Sequence, residues 1–460
     1  MATSFRDPAG HVSQVDGRIL RFVNETGECD LRAFLNSPAA PRWTEAGCLV
    51  QTTVLPDTDG RAALVLEHER VPFQSFPYEW PPEMLHAAAE LTLDLAQDLL
   101  KDDFGLKDAT PYNVLFHGSR PVFVDWLSFE RRDPCDPAWL AYAQFVRTFL
   151  LPLLVNKYFR LPIDQMLLAN RDGLEPEQVY RMSGAVRRML PPFLSLVSLP
   201  SWLAKSGKAK ANGTYAPRRA ESPAKAHFIL DHLFKGLRRK LRSVEPQRAN
   251  KSAWSDYMSE NRYTEDYFPL KQSFVEGAFA ERRPSRVLDV GCNTGYFSEL
   301  AAATGASVVA IDSDPIVVGR LWRKARIESL DILPLVVNLA RPTPSTGWLN
   351  GECSSFLERS SGAFDVVLML AVLHHMLVSE RIPLSSILRL ASELTSAFLI
   401  IEYVPPDDPK FREIARGRDR LHADLTKETF EHECKAFFDT IRATRLGQTG
   451  RWLYLLHKRG

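Results

Sequence analysis

The run Arg286-Val287-Leu288-Asp289-Val290-Gly291-Cys292-Asn293-Thr294-Gly295-Tyr296-Phe297-Ser298 places an acidic side chain beside two glycines four residues apart, and Asp312 follows seventeen residues after Gly295. These residue types suit a small nucleoside-type ligand. Gly291 and Gly295 let backbone N–H groups come close to it, and a carboxylate at Asp312 accepts hydrogen bonds from ribose hydroxyls. Three elements must position them: an apolar strand over 286–290, a helix opening after Gly295, and a second apolar strand over 307–311 with Asp312 at its tip. Taken singly, Asp289 would merely cap the helix, and Asp312 would start a turn with Asp314-Pro315. At the ends of adjacent strands the two together mark a ligand site, because ligands in such sheets lie outside the strand carboxyl ends.

Around these elements the chain alternates strands and helices. Strands are expected at 286–290, 307–312, 333–338, 364–370, 397–403, 437–443 and 452–457. Helical segments separate the early ones, which implies a parallel sheet covered on both faces. The last two are joined by a short turn and should pair antiparallel. Before residue 204 the pattern differs. Arg18–Val23 and Cys48–Leu55 read as strands, Pro56-Asp57-Thr58-Asp59-Gly60 as a turn and Arg61–Glu67 as the return strand. Pro81–Leu100 reads as a helix, with Leu85, Ala88, Ala89, Leu93, Leu99 and Leu100 on an apolar stripe, and more helices are expected between Ala138 and Ala204. No internal repeat is evident.

The chain's 460 residues suggest two or three domains, and 45% hydrophobic content suffices for large cores. A net charge of +1 gives no global field for nucleic acid or membranes. Cys29, Cys48, Cys135, Cys292, Cys353 and Cys434 are scattered without a C-x-x-C pair, which indicates neither zinc nor a disulfide framework and fits a reducing cytoplasm. The first residues lack a basic-then-apolar signal pattern, and the run nearest to a membrane span, Phe149–Val155 between Arg147 and Lys157, is too short to cross a bilayer. Ser206–Pro223 reads as a linker. After it comes a basic amphipathic helix with Leu230, Leu233, Phe234, Leu237 and Leu241 on one face, among Lys235, Arg238, Arg239, Lys240 and Arg242. Such a helix docks on a domain as a solvated bridge. The sharper alternative is a peripheral contact through 225–242 with anionic lipid or nucleic acid.

Asp289-Val290-Gly291-Cys292-Asn293-Thr294-Gly295 resembles the first motif of class I S-adenosylmethionine-dependent methyltransferases, D-x-G-x-x-x-G, followed by an acidic residue at the end of the next strand. The resemblance covers roughly Trp254–Gly460, includes the seven-strand layout, and implies a Rossmann-like α/β fold with S-adenosylmethionine as cofactor. It implies that Gly291 and Gly295, with Cys292 and Asn293 between them, wrap the methionine part, and that Asp289 orients the turn or holds the amino group through water. Asp312, with Ser313 beside it, would grip the ribose hydroxyls. Asn338 would approach the adenine amine in place of the frequent Asp, and Leu370-Ala371 would line the pocket beside the methyl group.

Methyl transfer needs alignment in a water-excluding pocket, and a neutral hydroxyl or amine acceptor must also lose a proton. The candidate bases follow the fourth and fifth strands: His374 and His375 in AVLHHML and Glu402 in LIIEYVPPDD. Their alternative role is to orient loops. His422 is a further candidate in RLHADLT. Tyr263 and Lys271, before the first motif, would close over the cofactor carboxylate or simply lie at the surface.

Leu106-Lys107-Asp108-Ala109-Thr110-Pro111-Tyr112-Asn113-Val114-Leu115-Phe116, with Val122-Phe123-Val124-Asp125-Trp126, resembles the catalytic loop and metal-binding strand of kinase-like (aminoglycoside-phosphotransferase-type) enzymes. The resemblance implies Asp108 as base and Asn113 and Asp125 as Mg²⁺ ligands for ATP. Three features depart from that family: Leu106 stands where a His is usual, no glycine-rich phosphate loop occurs, and no lysine precedes Lys101. A degenerate domain follows, acting as scaffold, docking module or regulatory nucleotide sensor. The two halves together, on LKDATPYNVLF and LARPTPSTGW, resemble a bacterial family of fused methyltransferases, some of which are named nodulation proteins.

The expected organisation is a kinase-like α+β domain at 1–204, a linker with the basic helix at 205–252, and a methyltransferase domain at 253–460. The expected function is methyl transfer from S-adenosylmethionine to a hydroxyl or carboxylate of a small-molecule or glycan acceptor in the cytoplasm, without a nucleic-acid partner. The alternatives are a Mg²⁺/ATP-dependent phosphotransferase and a protein that senses the methyl donor without transferring it.

Overall fold

A computed structural model of the chain describes residues 6–56, 62–205, 219–247 and 266–460. Most of the expected 206–223 linker, the turn at 57–60, the domain boundary near 253 and Tyr263 lie outside the described residues. The chain divides into two compact units, Met1–Arg248 and Ala249–Gly460.

The N-terminal unit opens with four antiparallel strands: β1 Gly10–Val15, β2 Arg18–Val23, β3 Thr52–Leu55 and β4 Leu64–His68, in the order β1-β2-β4-β3. β1 was not among the expected strands. Its hairpin turns on Asp16-Gly17, both with positive φ (50° and 80°), and pairs Val15 with Arg18; a two-residue Asp-Gly loop favours such a tight turn. The strand expected from Cys48 begins only at Thr52, because Cys48–Val50 instead pairs with Phe123: Val50 N donates to Phe123 O and Phe123 N to Cys48 O. The long helix runs Pro82–Asp98 with Pro at its first turn, and its buried stripe includes Met84, Leu85, Ala88, Ala89 and Leu93. Two small antiparallel pairs follow: β5 Phe104–Leu106 with β8 Phe129–Arg131, and β6 Val114–His117 with β7 Arg120–Phe123. Short helices then fill the stretch to residue 205, and the apolar run 149–155 is buried within them.

The basic helix spans Pro223–Ser243, with Ser222 accepting a capping bond from Lys225 N. Ala226, Leu230, Phe234, Leu237 and Leu241 are its buried face. Arg238 pairs with Asp94 at 2.6 Å and with Gln97 at 2.9 Å, both on the long helix, so the basic helix belongs to the N-terminal unit rather than to a linker. No helix among the described residues is long and apolar enough to cross a membrane.

The C-terminal unit holds β9 Arg286–Val290, β10 Ser307–Asp312, β11 Ile332–Val336, β12 Phe364–Met369, β13 Thr395–Tyr403, β14 Phe438–Arg445 and β15 Trp452–Lys458. They form one sheet in the order β11-β10-β9-β12-β13-β15-β14, parallel except where β15 pairs antiparallel with β13 and β14. The central strands are near-continuous apolar runs, as helices on both faces require. The chain moves outward from β9 in one direction to β10 and β11 and in the other to β12 and β13. A crevice therefore opens at the carboxyl end of β9, where ligands bind in such sheets.

Candidate active site

The turn after β9 folds back on β10. Gly291 N and Cys292 N both donate to Ile311 O, at 2.8 and 3.0 Å, and Gly295 N closes on Cys292 O at 2.9 Å. Gly291 and Gly295 have φ of +70° and +88°, conformations that L side chains rarely adopt. Space excludes them too. A Cβ on Gly291 would come within 2.4 Å of Val372 Cγ2, and one on Gly295 within 2.2 Å of Leu321 Cδ1. The turn is thus pinned between the segment after β12 and the helix Pro315–Glu328.

Asp312 stands at the tip of β10. Its Oδ2 accepts from Asn293 N and its Oδ1 from Asp314 N, both at 3.0 Å. Burial raises its pKa against the pull of those backbone donors. Asp289 lies deeper, buried, with Oδ2 accepting from Ser298 Oγ at 2.6 Å. Burial pushes its pKa up to about 6, offset in part by the Ser298 bond. Cys292 is also buried, which drives its thiol well above the usual range and makes it an apolar wall of the turn rather than a nucleophile. Ser313 follows Asp312 directly. Asn338 lies two residues past β11; its Oδ1 accepts from Ala340 N at 2.9 Å, while Val337 N donates to Asp312 O. Asn338 and Asp312 thus flank one edge of the crevice.

On the other side, Leu370 is buried and Ala371 takes a positive φ of 57°. That backbone bend carries Val372 over Gly291 and starts the helix Leu373–Val378. His374 and His375 occupy its first turn with ring centroids 4.4 Å apart. His374 is buried, its Nδ1 has no hydrogen-bond partner among the described residues, and burial with the nearby His375 and Arg451 lowers its pKa to about 3. His375 is half-buried, and burial and Arg451 lower its pKa as well.

Glu402 ends in a closed polar network. Tyr267 Oη donates to Oε1 at 2.8 Å, Lys271 Nζ to Oε2 at 2.7 Å and Arg451 Nη1 to Oε1 at 3.0 Å. Arg451 also forks onto Asp408, with Nε to Oδ2 at 2.8 Å and Nη2 to Oδ1 at 2.9 Å. Burial alone would raise the Glu402 pKa, but the Lys271 and Arg451 cations and the Tyr267 hydroxyl outweigh it and hold it at about 2. A carboxylate with three donors and no exposure is a counter-ion, which is a poor arrangement for the base role expected of Glu402. Lys271, expected near the cofactor carboxylate, spends a proton on Glu402 and lies 5.3 Å from the Phe297 ring centroid. His422 packs edge-on against Phe411. Tyr267, Arg451, Asp408 and Ser298 were not singled out from sequence. Arg451 had one usable signal: a lone cation opening the apolar strand WLYLL.

In the N-terminal unit, Asp108, Asn113 and Asp125 do gather. Asn113 Nδ2 donates to Ser128 Oγ at 3.1 Å, Ser128 Oγ donates to Asp125 Oδ2, and Asp108 is raised in pKa by burial and by Asp125. Asp125 Oδ1, however, pairs with Arg21 Nη1 at 2.9 Å, and Arg21 Nε donates to His68 Nε2. Burial and Arg21 lower the His68 pKa to about 3, so that ring stays neutral. A resident guanidinium therefore occupies the carboxylate that a Mg²⁺ ion would need, and no metal-binding group of three or more His, Cys, Asp or Glu occurs among the described residues. These residues do not fit the metal that the kinase resemblance implies.

The family model described as "Methyltransferase domain" matches residues 263–435. The nodulation protein NoeA of Rhizobium meliloti (strain 1021) is 30% identical over 440 residues, covering 94% of this chain and 90% of its own length. The chain belongs to the NoeA family. This NoeA relative is an S-adenosylmethionine-dependent methyltransferase, and the glycine turn with Asp312 is the part of it that fits the cofactor. A shorter match joins the methyltransferase part of the NoeA-family chain to the ubiquinone biosynthesis O-methyltransferase of Paracidovorax citrulli (strain AAC00-1), 28% identical over 122 residues, or 26% of this chain and 45% of that protein. Among solved structures, the N-methyltransferase NodS from Bradyrhizobium japonicum WM9 in complex with S-adenosyl-L-homocysteine aligns at 13% identity with a TM-score of 0.32, covering 45% of this chain and 100% of that one.

Proposed function

We propose that the C-terminal unit transfers the methyl group of S-adenosylmethionine to a hydroxyl or carboxylate of a small-molecule or glycan acceptor, with the N-terminal unit as a kinase-like scaffold or docking module. The observation that carries this reading is the crevice at the end of β9, where the Gly291–Gly295 turn is closed onto β10, Asp312 accepts from Asn293 N, and the Ala371–Val372 bend that leads into the His374–His375 helix packs against Gly291. The bound cofactor supplies an electrophilic methyl group on a sulfonium. Asp312 exchanges one or both of its backbone donors for ribose hydroxyls, and Asn338 offers its amide to the adenine edge. Cys292 and Asn293 shape the turn around the methionine part, and Leu370 and Ala371 wall the pocket beside the methyl. Asp289 holds the turn through Ser298.

His375, half-buried on the acceptor side, takes the proton from a hydroxyl acceptor. A depressed pKa keeps its ring neutral and ready at neutral pH, and such proton transfer contributes ~10²–10⁴-fold. His374 backs it from the buried layer. Glu402 positions Tyr267, Lys271 and Arg451 rather than receiving the substrate proton. The O-methyltransferase relative supports a hydroxyl acceptor. The kinase-like reading of the N-terminal unit is supported by its order of β-sheet, connecting segment, long helix and the Asp108–Asn113 loop, and the Arg21–Asp125 pair supports loss of phosphoryl transfer.

Incubation of the full chain with methyl-labelled S-adenosylmethionine and bacterial extract tests the reading. Label should appear on a small, polar acceptor in an alkali-stable ether or alkali-labile ester. Tight cofactor binding with no label transferred would favour a sensing role instead.

A further inference from the structure

The C-terminal part of the N-terminal unit combines two properties that the chain as a whole lacks. Residues 178–205 and 219–244 contain eleven Lys and Arg against only Glu221 and Asp231, within a chain whose net charge is +1. The same stretch exposes large apolar side chains. Val186 is 76% exposed, Leu203 64% and Met189 58%, with Leu190, Leu199 and Trp202 also open to solvent. Isolated exposed apolar residues need no explanation, but such a concentration on two short helices, Ala185–Met189 and Leu199–Lys205, does.

Side-chain contacts tie these pieces into one surface. Trp202 Nε1 donates to Tyr180 Oη at 3.2 Å, and the Arg188 guanidinium sits 3.9 Å over the Tyr180 ring. Arg187 stacks on Tyr158 and Phe193 and donates to Tyr158 O. Lys157, next to Tyr158, donates to Ser243 O at the end of the basic helix. Lys157 and Tyr158 thus link the helix end that carries Arg187 to the carboxyl end of the Pro223–Ser243 helix. Its outward stripe of His232, Lys235, Arg239 and Arg242 is exposed to solvent. Arg239 and Arg242 are exposed and have no acidic partner among the described residues.

We propose that this face docks peripherally on the surface of an anionic lipid bilayer. Basic side chains are drawn to the negative surface potential, while Trp202 and the neighbouring aliphatic side chains enter the headgroup–acyl boundary. Nucleic acid would reward the cations alone, because its phosphates offer nothing to Val186 or Leu203. A helical protein partner needs one continuous apolar groove, whereas these side chains are spread over several helix ends, to which a fluid acyl layer conforms. With no membrane-crossing helix among the described residues, this surface lies on a bilayer rather than spanning it.

Flotation of the full chain with vesicles tests this. The chain should float with phosphatidylcholine/phosphatidylglycerol vesicles and stay behind with phosphatidylcholine alone. Arg239→Glu with Arg242→Glu, and separately Trp202→Ser with Leu203→Ser, should each weaken binding by at least about tenfold, while cofactor binding by calorimetry stays unchanged. Absence of flotation with the anionic vesicles overturns the proposal. So does full vesicle binding by the Trp202/Leu203 variant with equally tight binding to duplex DNA, which would mark a general polyanion surface.

Discussion

Arg451 and Glu402 form an ion pair of 3.0 Å in the interior of the C-terminal unit, with neither side chain exposed. Arg451 approaches from just before β15, Glu402 from β13, and Asp408 completes the guanidinium's partners from the cap of the helix Pro409–Ala415. Through Asp408, Arg451 thus fastens the segment after β13 to the start of β15, a strand inside the sheet.

Removing Arg451 takes the cation from Asp408 and leaves Glu402 with the Lys271 cation alone, so buried charge loses its compensation. Arg451→Met should destabilise the C-terminal unit by roughly 3–5 kcal/mol, and Arg451→Met with Glu402→Gln by less than the sum of the single changes. Denaturant unfolding followed by a probe in the C-terminal unit measures both. Additive losses would show that the two charges do not depend on each other.

Three buried groups give the C-terminal unit a pH dependence of mixed sign. His374, held at about 3, contributes stability that is complete above its unfolded value of 6.5 and falls away as pH drops. Asp289, held at about 6, acts in the opposite sense: its buried charge costs stability above the unfolded value of 3.8, and that cost is relieved as pH falls through 6. Glu402, held at about 2, contributes stability that is lost only below 4.5. Between pH 7 and 5 the first two oppose each other, each by on the order of 1–2 kcal/mol. Relative to the unmodified chain, His374→Asn should therefore gain stability over that interval and Asp289→Asn should lose it. Parallel profiles for all three proteins would contradict these assignments.

Gly295 meets two constraints at once, its φ of +88° and the Leu321 side chain. Gly295→Ala should cost about 1–3 kcal/mol and abolish cofactor binding. Adding Leu321→Ala should recover part of the packing cost without relieving the backbone. Calorimetric melting of the single and double variants separates the two contributions.

The Arg21–Asp125 pair predicts that Mg²⁺ and ATP leave the N-terminal unit unmoved. Melting with and without Mg²⁺·ATP should superimpose, and Arg21→Met should lower the melting temperature. A stabilising shift with Mg²⁺·ATP in the unmodified chain would restore the phosphotransferase reading.

What could be read in advance follows the distance over which a signal acts. The strand–turn–helix from Arg286 and the acidic tip at Asp312 lie within one βαβ unit, so glycine spacing and apolar runs were enough to place them. The hairpin at Asp16-Gly17 was equally local, but hydropathy alternation in GHVSQV is too weak to reveal its first strand. The Glu402 network joins Tyr267 and Arg451, 184 residues apart, and no local pattern announces such a meeting. This is why Glu402, exposed by chemistry alone as a possible base, proves to be a buried counter-ion. The same limit applies to Asp125, whose partner Arg21 lies on a strand far earlier in the chain.

His375 and His374 differ in access, and their substitution should separate them. With a hydroxyl acceptor, His375→Ala should lower kcat by ~10²-fold or more with little change in cofactor affinity. His374→Asn should act mainly through stability. Equal kcat losses with unchanged stability would show both rings touching the acceptor.

Titration of the full chain with S-adenosylhomocysteine in a calorimeter tests the central claim most directly. The account predicts one site in the unmodified protein, weakened by about tenfold or more in Asp312→Asn and undetectable in Asp312→Ala. Equal affinity in all three proteins would contradict it.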